Sequence, residues 1–254
     1  MKNKDDFMIV YSLCDKGKMP EELISSLRSI YRFIDREKII VFYTPPYSQH
    51  NYNIFNKYAI VKQVDNVTLP FKYMSGRPPS RYGEIMGHLG EISSSNVFIL
   101  DCDTIIKKNL QELIGGDFDV GFRIACSWNN IDKQKWEKLF KDHNKKPIPV
   151  PNKGFMVFKN NSHKKISKDF MEYMKLDLAH VSPYNYQKDQ YALALAISGY
   201  KVELWDKHTH AYVWSSEENT DTYVLHGRVL NPIHKIILRI FFKIKKKLIR
   251  TRIK

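Results

Sequence analysis

No uninterrupted apolar stretch in this chain approaches the roughly 20 residues that a helix needs to span a bilayer. The amino terminus, Met-Lys-Asn-Lys-Asp-Asp, runs straight into Phe7-Met-Ile-Val-Tyr11 with no apolar region of the signal-peptide kind. Cysteine is scarce. Cys14, Cys102 and Cys126 show neither paired nor zinc-like spacing, which excludes a disulfide framework and favours a reducing compartment. No internal repeat is present. Acidic residues are missing from one region altogether: residues 231–254 hold nine Lys or Arg and no Asp or Glu. The net charge of +14 is therefore uneven, and residues 1–230 carry only +5 of it. Such asymmetry describes a local electrostatic device, not a generally basic body.

What is present suits one sizeable α/β domain. The 254 residues are 43% hydrophobic, ample for a core. Strand-like segments fall at residues 7–13, 38–43, 58–64, 97–100, 120–124, 154–158, 201–205 and 222–225. Helical spacing falls between them at 21–33, 80–92 and 188–198, the last ending at Gly199. Alternation of this kind predicts a mainly parallel sheet flanked by helices, with ligands at the carboxyl ends of its strands. Residues 127–151 break the rhythm with two tryptophans, a run of lysines and three prolines. They read as an inserted helix-and-loop excursion, either a recognition element or a solvated surface one.

The segment Val97-Phe-Ile-Leu-Asp101-Cys-Asp103 carries the chemistry. A buried strand runs into two aspartates, a concentration of like charge that a hard divalent cation relieves. Mg²⁺ takes one or two carboxylates and completes its shell with water and substrate phosphates. The alternative is a strand-end Asp capping the next turn. Asp117-Phe-Asp119, after two glycines, reads as turn chemistry of that sort. Cys102 is expected to pack on the opposite strand face.

Five segments in order extend the pattern: Ser80-Arg-Tyr-Gly-Glu, the Asp101-Cys-Asp103 strand, Asn152-Lys-Gly154, Lys188-Asp189-Gln190 and Leu225-His226-Gly227. Over residues 7–228 the series resembles the GT-A nucleotide-sugar glycosyltransferases, of the glycogenin-like and bacterial lipooligosaccharide galactosyltransferase type. The resemblance implies a GT-A (Rossmann-like) mixed sheet and a hexosyltransferase using a UDP-sugar. It implies that Asp101, Asp103 and His226 bind Mn²⁺ or Mg²⁺. It places Tyr11 and Ser12 at the uracil or ribose, Arg81 and Arg228 at the donor's sugar or phosphate, and Asn152 at the sugar. Asp189 would hold sugar hydroxyls, with Gln190 near the anomeric carbon, and transfer would retain configuration. Each has a plainer counterpart: Tyr11 packs, Asn152 makes a turn, and Asp189 serves the first turn of a helix. The chain departs from the family in lacking a Lys-Pro-Trp ending after His226-Gly227 and in placing Glu84 where an arginine is usual. No nucleophile or base is named by the sequence.

Residues 231–254 are expected to form a separate helical tail after residues 1–230. At about 100° per residue, Lys235, Arg239, Lys243, Lys246, Lys247, Arg250 and Lys254 share one arc. Ile233, Ile237, Ile240, Phe241, Ile244 and Leu248 share the opposite one. That division predicts an amphipathic basic helix lying on an anionic membrane surface, the protein being peripheral on its cytoplasmic face. The acceptor would then be a glycan or a lipid-linked sugar. Two rivals remain at this level: a glycosyltransferase acting on nucleic acid, and a non-catalytic membrane-associated sugar-binding protein.

Overall fold

The computed structural model describes residues 6–14, 17–65, 81–178, 181, 188–213 and 221–227, with the side chains of 81–84 left aside. The tail at 231–254 and Arg228 lie outside the described residues, as does the Arg81 side chain. Among the described residues there are ten strands: β1 (Phe7–Cys14), β2 (Ile39–Thr44), β3 (Ile60–Gln63), β4 (Asn96–Leu100), β5 (Thr104–Ile106), β6 (Val120–Ile124), β7 (Pro151–Phe158), β8 (Val202–Trp205), β9 (His210–Tyr212) and β10 (Val224–His226). The helices are α1 (Met19–Ile30), α2 (Gln49–Phe55), α3 (Arg81–His88), α4 (Lys133–Asp142), α5 (Ser162–Tyr173) and α6 (Lys188–Ile197).

Seven strands form the main sheet in the order β3-β2-β1-β4-β7-β6-β8. Pairing is parallel except at β7, which runs antiparallel to both β4 and β6. Strands β5, β10 and β9 form a small second sheet beyond the carboxyl end of β4. The sheet is mixed and mainly parallel, as the alternation of segments predicts.

Side-chain alternation divides the apolar residues between two faces. Val10, Val97, Ile99, Phe122 and Met156 meet α3, α5 and α6. Ile9, Tyr11, Phe98, Leu100 and Phe155 meet α1. Central strands buried on both sides must be apolar throughout, which is why their sequences show runs and no alternation. Helix α1 carries Pro20 near its start, with Glu21 and Glu22 in its first turn and Arg28 in its last, matching its dipole. Helix α6 is apolar almost all round because it is sandwiched in the core, every residue from Tyr191 to Ile197 being buried.

The excursion at 127–151 is exposed along one face and packed onto the core by the other. Asp132 caps α4 by accepting from the amides of Gln134 and Lys135. Trp136 on that helix is 1% exposed, sits edge-on to Tyr191 of α6 at 5.7 Å, and donates its indole N–H to the Ile148 carbonyl at 2.9 Å. Asp117 and Asp119 do serve the turn before β6: Asp119 accepts from the Lys201 amide and Asn160, and Asp117 pairs with Lys201. Cys102 packs, donating its thiol to the Ser12 carbonyl.

Trp136→Ala should remove the anchor that holds the excursion to the core. A loss of about 3–5 kcal/mol is expected in urea unfolding. A loss under about 1 kcal/mol, in the range of ordinary surface substitutions, would mean that the segment does not stabilise the body.

Candidate active site

Strand β4 stops at Leu100, and β5 begins at Thr104. The intervening turn holds Asp101 and Asp103, and hydrogen bonds fix it from two directions. The Asp101 amide donates to the Gly154 carbonyl at 2.9 Å, and the Gly227 amide donates to the Asp103 carbonyl at 2.9 Å. Thr104 donates its hydroxyl proton to the Asp101 carbonyl at 2.8 Å. Having spent that proton, Thr104 must accept from Ser26 at 3.0 Å, and Ser26 in turn accepts from the Tyr11 phenol at 2.9 Å. A directed chain of hydroxyls thus runs from β1 through α1 to the acidic turn.

His226 arrives from β10, whose last pair places it opposite Thr104. Its Nε2 lies 3.4 Å from an Asp101 oxygen and 3.3 Å from an Asp103 oxygen. One ligand atom from each of the three lies within 4.8 Å of the others. The carboxylates are partly open, at 35% and 25% side-chain exposure, while the imidazole at 9% forms the wall. Room for that ring comes from Gly154: a Cβ there would lie 1.9 Å from His226 Cε1. Gly227 follows at φ +120°, a backbone region that glycine alone adopts readily.

Electrostatics favour a cation here. Burial alone would lower the His226 pKa, but hydrogen bonding to Asp101 and Asp103 and their charge outweigh it and raise it to about 9. Burial would raise the Asp101 pKa, and the His226 partner and the Lys153 charge reverse that, leaving it lowered. Two hard oxygens and one imidazole form a donor set that a divalent cation accepts, with positions left for ligand oxygens.

The other expected residues fall around this centre in different ways. Asn152 accepts from the Gly154 amide at 2.9 Å, a turn contact, and donates to the Tyr212 phenol at 2.7 Å. Asp189 is buried in the first turn of α6, where it forms an ion pair with Lys153 and accepts from the Gln190 amide at 2.8 Å. Gln190 Oε1 is buried without a hydrogen-bond partner among the described residues. Ser12 is nearly buried and Tyr11 fully so, its phenol pushed well above its usual range by burial. In this structure Tyr11 anchors the hydroxyl chain and presents no surface to a ligand.

Three residues enter that sequence reading passed over. Lys153 connects Asp189 to the acidic turn, His210 lies against His226, and Tyr212 abuts both His226 and Asn152. Lys153 stands inside the quoted Asn152-Lys-Gly154 motif, so its position was a usable signal. His210 and Tyr212 sit on a three-residue strand with no pattern to mark it.

The sequence matches no protein-family model and no curated protein. Solved structures do match. Galactosyltransferase LgtC in complex with donor and acceptor sugar analogues aligns at TM-score 0.56 and 17% identity, over 88% of this chain and 87% of that one. An active-site mutant of LgtC aligns at TM-score 0.61 and 16% identity. This chain has the GT-A glycosyltransferase fold. Mouse xyloside xylosyltransferase 1 aligns at TM-score 0.55 and 13% identity, over 88% of this chain and 98% of that one. The bifunctional glycosyltransferase WbbM aligns at TM-score 0.60 and 15% identity, but this chain, matched over 89% of its own length, spans only 46% of WbbM.

Gly154→Ala should push the His226 ring out of place and weaken Mn²⁺ binding by at least about tenfold, the scale of lost ligand orientation. Titration calorimetry checks it, and unchanged affinity would show that the ring has other room. Binding should also depend on pH. With its pKa at about 9, His226 holds at neutral pH a proton that an incoming cation must displace. Apparent Mn²⁺ affinity should therefore fall as pH falls from 9 to 6, by up to about tenfold per unit. The dependence should flatten in His226→Asn.

Proposed function

We propose that the protein is a glycosyltransferase that moves a hexose from a UDP-sugar to a glycan or lipid-linked acceptor, using Mn²⁺ or Mg²⁺ and retaining configuration. The observation that carries this reading is the convergence of Asp101, Asp103 and His226 at the carboxyl end of the central strand β4, on a GT-A fold. The bound cation would neutralise the diphosphate and stabilise it as a leaving group. The residues of the chain would do the rest. Asp101, Asp103 and His226 hold the cation against β4. Lys153 adds a positive charge beside the acidic turn and pairs with the buried carboxyl group of Asp189. Gln190, whose carbonyl oxygen has no partner among the described residues, would lie near the reacting carbon. Arg81, Asn152, Ser12 and Arg228 complete donor binding in this proposal.

In this proposal the acceptor enters along a cleft at the sheet edge. A cleft of about 520 Å³ opens along β6 and β8, lined by Arg123, Cys126, Trp128, Trp205, Lys207 and Tyr212. Tyr212 is among its lining residues, and its ring lies 5.8 Å from the His226 ring, centre to centre. Aromatic faces with a few cations suit a sugar's apolar face and its hydroxyls. Among the described residues no helix is long and apolar enough to cross a membrane. Membrane attachment is assigned in this proposal to the basic amphipathic segment 231–254, on the cytoplasmic side.

A donor screen for UDP release with Mn²⁺, with and without candidate acceptors, tests the activity. Asp101→Asn, Asp103→Asn and His226→Ala should each lower the rate by at least about a hundredfold, as expected when a charge-stabilising group is lost from the transition state. Full activity in EDTA would sink the metal-dependent reading. For the tail, the chain ended after Asn231 should keep UDP-sugar hydrolysis but no longer float with anionic vesicles. Full-length binding should weaken with salt yet leave a salt-resistant part due to the apolar face. Binding to DNA in place of vesicles would favour the nucleic-acid alternative.

A further inference from the structure

Within the proposed metal centre, His210 is a group that no assigned role uses. It is fully buried, on β9, and its Nε2 lies 3.1 Å from Nδ1 of His226. The two rings are stacked, 5.2 Å apart and 21° from parallel. Their backbones explain the contact. Strand β9 pairs parallel with β10, His210 opposite Val224 and Tyr212 opposite His226, so the two histidines are diagonal neighbours on one face of the ladder. Two further contacts fix the strand and ring: Arg123 donates to the His210 carbonyl, and Phe155 packs edge-on to the ring at 5.6 Å.

The hydrogen bond has one workable direction once His226 is a ligand. Nε2 of His226 faces the carboxylates and must give its lone pair to the cation, so the ring proton resides on Nδ1. That proton points at His210, which therefore accepts at Nε2 and keeps its own proton on Nδ1. Among the described residues His210 Nδ1 is buried with no hydrogen-bond partner, a cost that plain packing by an apolar residue of the same shape would avoid. We infer that His210 is a positioning residue, holding the His226 imidazole in the tautomer and orientation that present Nε2 to a divalent cation.

This inference rests on the metal-dependent reading of the site, and the test separates the two. Mn²⁺ affinity is measured by electron paramagnetic resonance on the full chain, wild type and variants, alongside thermal melting in EDTA. His210→Phe keeps the stacking and removes the acceptor. It should weaken Mn²⁺ about ten- to a hundredfold, as loss of an outer-shell partner does, without lowering the melting temperature of the metal-free protein. His210→Gln, whose amide oxygen can accept near the same point, should recover most of the affinity. Wild-type affinity in His210→Phe, or equal losses in both variants, would overturn the positioning role and leave the metal site standing. A wild-type protein that binds no Mn²⁺ would overturn both.

Discussion

Two carboxylates at the end of a central strand repel each other, and the surrounding architecture answers that repulsion. His226 is brought from more than a hundred residues away to lie between them, held by a strand that pairs with the turn's own continuation. A protonated imidazole balances the charge in the absence of a cation, and a neutral one would join the carboxylates as a ligand in the proposed metal-bound state. Proton and metal would then compete for the same nitrogen. Several backbone choices nearby make sense only in this light, above all the bare Cα of Gly154, which gives the ring its space.

The acidic turn is also held from below. The hydroxyls of Tyr11, Ser26 and Thr104 point one way, toward the Asp101 carbonyl, and each is buried in or beside the core. A ligand set built on a loop gains precision when its backbone is tied to rigid elements. Here β1 and α1 supply that tie, so packing of the amino-terminal third of the fold sets the placement of the two oxygens.

Much of the fold was legible in the sequence because buried parallel strands leave continuous apolar runs, and helix α1 leaves a clear stripe. Elements whose stability comes from elsewhere were not. β5 and β9 are three residues each, too short for a period to register, and α5 buries only Ile166 and Phe170 among its large apolar residues while its sequence is rich in lysine. Of the candidate site, Asp101, Asp103 and His226 were legible as a group through the order of motifs, and the structure brings them together. The alternatives for Asn152 and Tyr11 needed coordinates: a turn contact and a buried phenol follow from packing that no local pattern records. Lys153 was visible but unread, since a lysine beside a glycine signals nothing until its partner Asp189 is placed across the core.

The reversal of β7 has a consequence for how such a scaffold can change. In a wholly parallel sheet every strand would begin on the side away from the acidic turn, and connections on the ligand side would follow strands, never precede them. Because β7 runs the other way, its first residues, Pro151 to Gly154, lie at the ligand rim beside the end of β4. The connection leading into β7, with α4 and its tryptophan anchor, therefore empties directly onto that rim. Length and chemistry can vary in this one connection without disturbing a single ladder of the sheet, so the same catalytic floor can be fitted with a different wall.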